Sequence, residues 1–379
     1  MNIHSLLTTV QQKNASDLHL VSGHPVMLRI DGDMVPLDQS ILAAEDVRTL
    51  LYSVMTPKQQ EAFEQSHDLD FALGADSSGR FRVNLFDTLN GMAAVFRHIP
   101  SKIRTIDELT LPTIVKSLCS LTKGLILVTG AAGSGKSTTM AAMIDHMNRY
   151  YRRHIITIED PIEFIHTSQQ SLINQREVHT HTESFGKALR SALRENPDVI
   201  MVGELRDLET ISLALTAAET GHLVLGTLHT NSAAKSIDRI VDVFDEGSKA
   251  MARSMLAGSL QGVVTQLLTK TTQGQGRIPL HEILIANSAI RNLIRENKIP
   301  QIHSTMQLHK KSGMQTFKEA VERLLAGGII SIDQAKPILN EVSLPDDIEK
   351  IPANSSAARQ KVADRGSSAQ YSPWKDDQF

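Results

Sequence analysis

The middle of the chain alternates short apolar runs with segments of helical spacing. The runs are GLILVTG, HIITIED, DVIMVGE and LVLGTLH, and the helical segments that follow them span residues 137–149, 184–196, 208–220 and 234–244. Continuous Val, Ile and Leu runs are typical of strands buried on both faces, and a helix between two such strands allows them to run parallel. The pattern therefore predicts an α/β domain with a parallel sheet.

A different pattern precedes this part of the chain. Residues 16–37 read as short strands joined by Gly and Pro turns, and residues 43–65 have helical spacing. Strand-like runs return at 79–85 and 91–99. We therefore expect a small α+β domain over residues 1–100.

These patterns divide the rest of the chain as well. We expect a linker over residues 101–112 and the α/β domain over residues 113–343. The part from 248 to 328 is expected to be mostly helical, and its segment SAIRNLIREN has its apolar residues on one helical face. Residues 344–379 are rich in Ser, Ala, Pro and mixed charge, which is typical of a disordered tail.

Charge and cysteine content narrow the function. The 379 residues carry a formal net charge of −3, which argues against nucleic acid as a direct partner because it provides no overall basic field. The single cysteine, Cys119, can form neither an internal disulfide nor a paired-cysteine metal site. No apolar run approaches the ~18 residues of a membrane span, and no signal-peptide pattern opens the chain. We therefore expect a cytoplasmic protein.

A phosphate-binding loop follows the first apolar run. The text GAAGSGKS at residues 130–137 fits G-x-x-x-x-G-K-[ST] in the strand-to-helix context that this motif requires. Its glycines let backbone amides approach the phosphates, Lys136 supplies charge to the β and γ oxygens, and the Ser137 hydroxyl can ligate Mg²⁺. The residues predicted to bind ATP with Mg²⁺ are Gly130, Ala131, Ala132, Gly133, Ser134, Gly135, Lys136, Ser137 and Thr138.

Further candidate groups follow the other apolar runs. Glu204 lies just past the strand core that begins at Val199 and is predicted to reach Mg²⁺ or the attacking water, with an ordinary strand-end carboxylate as the alternative. Glu163 follows the run HIITI and is a candidate general base, unless it only caps a turn. His222 and His229 flank the run LVLGTL and either sense the γ-phosphate or are hydrogen-bonded scaffold residues.

Four segments together resemble the secretion ATPases of type II secretion and type IV pilus systems. They are GAAGSGKST, TIEDPIEFIH, ALRENPDVIMVGELRD and AAETGHLVLGTLHTNSA, and the resemblance extends to ASDLHL and SAIRNLIREN. It covers residues 1–343. It implies a RecA-like P-loop ATPase domain preceded by a small α+β domain that is PAS-like.

The resemblance also implies roles for individual residues. Residues 130–137 become the Walker A loop, Glu163 the catalytic glutamate, and Glu204 the end of the Walker B region. His222 and His229 become members of the His box.

Two arginines enter through the resemblance alone. Arg82 and Arg97 match arginines of the N-terminal domain that reach nucleotide at a subunit boundary in this family. An arginine that spreads charge over the γ-phosphate stabilises the transition state, and its supply from a movable domain couples closure to hydrolysis. The alternative places both arginines on the solvent face of a sheet.

The function that the resemblance implies is an ATP-hydrolysing homohexameric motor of type IV pilus machinery. Such a motor powers retraction, which depolymerises pilin and produces twitching motility. It would act at the inner face of the cytoplasmic membrane through a platform protein, and a paralogous retraction ATPase is a further implied partner.

Departures from the family keep alternatives open. Ala131 and Ala132 replace a common Pro-Thr pair, but these positions contribute backbone amides, so we expect nucleotide binding to survive. The tail leaves room for an accessory or regulatory nucleotide-binding subunit with little hydrolysis of its own. The absence of CxxC pairs counts against the assembly ATPases, and the near-neutral charge counts against a conjugation or DNA-uptake ATPase that contacts DNA.

Overall fold

The chain divides into two compact units in a computed structural model, and each unit is described by itself. The structure describes residues 2–342 except 31, 76–78, 100, 101 and 273–276. The first unit comprises Met1–Ile103 together with Asp160–Ile165, and the second comprises Arg104–Glu159 and His166–Phe379. The division at a linker over 101–112 stays a prediction, and the predicted tail at 344–379 lies outside the described residues.

The first unit is an antiparallel sheet with three helices. The six strands lie in the order β3-β2-β1-β6-β5-β4. The elements are α1 (Ile3–Gln12), β1 (Asp17–Val21), β2 (Pro25–Ile30), β3 (Asp33–Ile41), α2 (Ala44–Tyr52), α3 (Pro57–Ser66), β4 (Asp68–Ala75), β5 (Gly79–Thr88) and β6 (Gly91–Ile99).

Alternation along the strands decides which side of this sheet faces its core. On β5, Phe81, Val83 and Leu85 are fully buried, whereas Arg82 and Asn84 between them are half-buried on the other face. The buried face packs against the apolar sides of the helices. The sheet therefore has one charged face, and the candidate arginines lie on it.

The helical segment expected at 43–65 is two helices. The first ends at Tyr52, and Thr56 begins the second as its N-cap: the Thr56 side chain accepts from the backbone N–H of Gln59, while the Gln59 side chain accepts from the N–H of Thr56. Pro57 occupies the first turn of the second helix, where its missing N–H costs nothing. The capping signal was present in the sequence.

The second unit is a seven-stranded sheet with helices. The strand order is β13-β12-β7-β11-β10-β8-β9, and every neighbouring pair is parallel except β12 with β13. The elements are α4 (Ile114–Ser120), β7 (Gly124–Thr129), α5 (Lys136–Tyr150), β8 (His154–Glu159), β9 (Leu172–Glu177), α6 (Phe185–Ala192), β10 (Val199–Val202), α7 (Leu208–Glu219), β11 (Leu223–Leu228), α8 (Ala233–Asp242), α9 (Lys249–Ser259), β12 (Leu260–Lys270), β13 (Arg277–Ile285), α10 (Ser288–Arg295), α11 (Ile302–Leu308), α12 (Phe317–Ala326) and α13 (Ile332–Val342).

The predicted α/β class is confirmed, with one difference in the sheet. The four apolar runs form β7, β8, β10 and β11, and every residue of β7, β10 and β11 is buried, as a sheet covered on both faces requires. The sheet is mixed because β13 runs antiparallel at one edge. The parallel core nonetheless brings the carboxyl ends of these strands to a single edge.

The expectation of a mostly helical region over 248–328 was wrong for residues 260–285. This stretch forms β12 and β13, whose register runs from Gly262 opposite Ile285 to Lys270 opposite Arg277. The run VVTQLL is rich in β-branched residues and is followed by TTQGQG, which are strand and turn signals. The sequence on both sides has helical spacing, and these strand signals were therefore overlooked.

None of the helices in the described part of the chain combines the length and the apolar character that a membrane span needs.

Candidate nucleotide site

The phosphate loop connects β7 to α5 at the carboxyl edge of the sheet. Gly130, Gly133 and Gly135 have φ values of 144°, 75° and 90°, a left-handed region that glycine enters at little cost. Ser137 is exposed in the first turn of α5, so its hydroxyl is available to a ligand. Of the remaining predicted positions, Ala131 and Ala132 are exposed. Ser134 is buried and Thr138 is half-buried.

The Lys136 side chain turns back over this loop. Its Nζ donates to the carbonyl oxygens of Gly130 at 2.8 Å and Ala131 at 3.0 Å. The ammonium therefore lies inside the ring of backbone that the loop forms. A charge held at that place can meet the β and γ oxygens of a nucleotide.

Glu204 and His229 join Lys136 at the same edge. The Glu204 carboxylate lies 2.7 Å from Arg206 Nε and 3.4 Å from His229 Nε2. The other ring nitrogen of the imidazole, His229 Nδ1, lies 3.4 Å from Lys136 Nζ. A histidine that accepts at Nδ1 and donates at Nε2 fits both neighbours, a tautomer assigned from the contacts. The structure thus brings three predicted residues, Lys136, Glu204 and His229, together.

His222 does not lie at this edge, contrary to the expectation that both histidines serve one site. It precedes the first residue of β11, and its backbone oxygen accepts from the N–H of Gly124 at the start of β7. A six-residue strand separates it from His229, which is about 20 Å at the usual rise per residue. The His222 ring instead lies 3.1 Å from the carbonyl of Ala217. These contacts fit the alternative of a hydrogen-bonded scaffold residue, and a role of His222 at the nucleotide stays a prediction.

Glu163 lies in the segment that groups with the first unit. This segment follows β8, and the carbonyl of Ile162 accepts from Arg80 Nε at 3.0 Å. Glu163 itself is half-buried, and within the described part of the chain its carboxylate has no hydrogen bond or ion pair. Its oxygens are therefore open to a water molecule, as a general base requires.

Arg82 and Arg97 lie directly opposite each other on β5 and β6. Arg97 Nε lies 2.9 Å from Asp17 Oδ1, and Arg82 Nε lies 3.7 Å from Asp70 Oδ1. Asp17 is buried, whereas the Arg97 side chain is 65% exposed. Each guanidinium group thus pairs with a carboxylate of its own sheet, and most of the Arg97 side chain stays exposed.

Glu282 is buried near the loop that follows His229, and its pKa is raised. The Glu282 carboxylate on β13 accepts from the backbone N–H of Ala233 at 2.7 Å, at the first residue of α8. Burial raises the pKa of Glu282 to about 7, although its hydrogen bonds to the N–H groups of Ala233 and Phe317 oppose that rise. Sequence reasoning missed this residue because nothing local marks a strand carboxylate as the cap of a distant helix.

The residues of the loop fit a nucleotide with its magnesium ion. The glycines leave room for the backbone to wrap a phosphate, and the amides at the start of α5 favour an anion. The Ser137 hydroxyl and the Glu204 carboxylate are oxygen donors of the kind Mg²⁺ accepts, directly or through water. The arrangement can therefore bind the phosphates of a nucleotide, with the Glu204 carboxylate at the same edge of the sheet.

Comparison with known proteins adds a family and individual relatives. The family described as type II/IV secretion system protein matches residues 1–342. A Pseudomonas aeruginosa protein named type IV pilus retraction ATPase PilT is 53% identical over 336 residues, which cover 89% of this chain and 97% of the relative. The type IV pilus ATPase PilU of that organism is 38% identical, with 88% of each chain covered. A crystal structure of the pilus retraction motor PilT with bound ADP is similar with a TM-score of 0.84 and 45% identity, covering 93% of this chain and 100% of that one.

Proposed function

Because the chain belongs to the family of type II/IV secretion system proteins, we propose that it is the ATP-hydrolysing motor that retracts a type IV pilus. The resemblance predicted from the motifs is confirmed by the match over residues 1–342. The observation that carries the proposal is the 53% identity to a pilus retraction ATPase over nearly the whole of both chains. Retraction depolymerises pilin at the base of the pilus and so produces twitching motility.

ATP is the substrate of this site. The loop amides and Lys136 hold the β and γ phosphates, and Ser137 with Glu204 would hold Mg²⁺. Mg²⁺ held by these residues would neutralise part of the charge on the phosphates. His229 lies between Lys136 and Glu204 and keeps both groups in fixed directions.

Glu163 serves as the general base in this proposal. It orients a water molecule and accepts its proton as the water oxygen bonds to the γ phosphorus. The bond from that phosphorus to the β–γ bridging oxygen breaks, and ADP and phosphate leave. The proposal is supported by the open carboxylate of Glu163 and by its position after a strand of the parallel sheet.

The active form is proposed to be a homohexameric ring in which Arg82 and Arg97 act on the nucleotide of a neighbouring subunit. Their charge would then neutralise the γ-phosphate only when the neighbouring domain closes, which links hydrolysis to movement. A pilus platform protein of the inner membrane is the proposed partner, so the ring would work at the cytoplasmic face of the membrane. A paralogous retraction ATPase is a further proposed partner.

Mixing two inactive variants tests the arginines and the ring together. We expect the Arg82→Ala, Arg97→Ala double variant and the Lys136→Ala variant each to lose turnover, and an equimolar mixture to recover part of it. A mixed ring contains sites that combine an intact loop with intact arginines from the neighbour. Arg29→Ala is the matched control, because Arg29 lies in the same sheet and also contacts Asp17, at 3.9 Å. A mixture as inactive as its components would show that the arginines do not act across subunits.

Turnover of the purified chain separates the motor from the alternative function. A retraction motor is expected to release phosphate by itself at a rate within the usual range of enzyme turnover, about 1–10³ per second. An accessory or regulatory subunit would bind nucleotide and release almost none. The lower identity to PilU, 38% against 53% to PilT, favours the motor. Phosphate release measured without any partner protein decides between them.

A further inference from the structure

Gln266 lies buried beneath the phosphate loop. It follows Thr265, the last residue of β12 that pairs with β7, and the partner of Thr265 is Thr129, which precedes the loop. Only 3% of Gln266 is exposed. Its Nε2 donates to the carbonyl oxygen of Ser134 at 2.6 Å, and its Oε1 accepts from the Thr139 hydroxyl at 2.7 Å. One side chain thus joins the loop to the first turns of α5.

Two glycines of the loop are matched to this side chain. A Cβ atom at Gly130 would lie 2.3 Å from the backbone oxygen of Gln266, and one at Gly135 would lie 2.6 Å from Gln266 Nε2. A Cβ at Gly133 would have no atom within 4 Å. Contact with Gln266 therefore excludes side chains at Gly130 and Gly135 in addition to the requirement for positive φ. Packing against β12 therefore requires glycine at these two positions, independently of phosphate binding.

The hydrogen bond to Ser134 fixes the direction of an amide. The carbonyl of Ser134 and the N–H of Gly135 belong to one peptide plane and point in opposite directions when that plane is trans. Holding the Ser134 oxygen toward Gln266 therefore directs the Gly135 N–H away from the sheet. That is the side on which a phosphate can be bound by the loop amides.

We propose that Gln266 is a positioning residue that sets the phosphate loop in its nucleotide-binding shape. This inference rests on the proposed ATPase function and deepens it. The role needs one donor and one acceptor on the same side chain, and an amide supplies both. Without the donor, the Ser134 peptide is free to rotate, and the loop must be ordered when nucleotide binds.

Binding of a fluorescent ATP analogue with Mg²⁺ tests the proposal without requiring hydrolysis. We expect Gln266→Leu to raise the Kd about 10- to 100-fold, since two buried hydrogen bonds of the usual strength are lost. Thr139→Val removes only the bond at the helix and is expected to raise the Kd by less than about threefold. Thermal unfolding of the nucleotide-free variants shows whether each protein is folded.

Matched variants keep the test interpretable. Gln261→Leu is the control, because Gln261 lies at the other end of β12 and contacts Lys123 and Arg291 instead of the loop. Gln266→Glu keeps the acceptor for Thr139 and loses the donor to Ser134, so it should raise the Kd more than Thr139→Val does and keeps the test open if the leucine variant fails to fold. A folded Gln266 variant with a Kd within twofold of wild type, or equal weakening by Gln261→Leu, would overturn the proposal. Failure of the wild type to bind the analogue would instead refute the proposed function.

Discussion

Replacing Lys136 with alanine is expected to lower kcat/KM for ATP by about 10³-fold or more. The Lys136 ammonium lies within the phosphate loop, and losing two charge-assisted hydrogen bonds to phosphate oxygens costs roughly 4 kcal/mol. Nucleotide affinity and turnover should fall together because the same charge holds the ground state and the transition state. Steady-state phosphate release over a range of ATP concentrations measures both.

Lys123→Ala is the matched control for this change. Lys123 is an exposed lysine that precedes β7, at the opposite end of the strand from the loop. Its removal should leave KM and kcat near the values of the wild type. If Lys136→Ala kept wild-type turnover, the assignment of residues 130–137 to ATP binding would be wrong.

Replacing Glu163 with glutamine is expected to lower kcat by about 10²- to 10⁴-fold while nucleotide still binds. Removal of a general base has this range of effect, and glutamine keeps the shape of the side chain without accepting the proton. The contrast with Lys136→Ala is the informative part, since one variant should lose binding and the other only the chemical step. Single-turnover hydrolysis and equilibrium binding measured on one preparation separate the two.

Glu183→Gln controls for loss of a glutamate charge. Glu183 is exposed before α6 and pairs with Lys187. It should turn over ATP like the wild type. A Glu163→Gln protein with unchanged kcat would assign the general base elsewhere, and Glu159, buried at the end of β8, would be the next residue to replace.

The phosphate loop and the strands around it could be predicted because their signals are local. Each buried strand is a short continuous apolar run, and the loop has a fixed spacing of glycines, lysine and serine. Glu204 and His229 could be placed at the same edge because each follows a strand of a parallel sheet. Predicting that these residues lie together required no knowledge of contacts between distant parts of the sequence.

His222 and His229 flank a predicted strand, so their separation to opposite ends of that strand follows from the sequence. The remaining part of the site depends on contacts that leave no local mark. Gln266 lies far along the chain from the loop that it contacts, and a glutamine within an apolar run gives no indication of its partner. A pairing between β12 and β7 determines that contact, and strand pairing over such distances cannot be deduced from periodicity.

The central claim is that hydrolysis at this site powers pilus retraction. Fluorescence microscopy of labelled pili tests it in cells from which the gene is deleted and then restored as wild type or as Glu163→Gln. We predict that deletion leaves cells with excess pili that do not retract, that the wild-type gene restores retraction, and that Glu163→Gln does not. Bald cells after deletion, or normal retraction with Glu163→Gln as the sole copy, would contradict the claim.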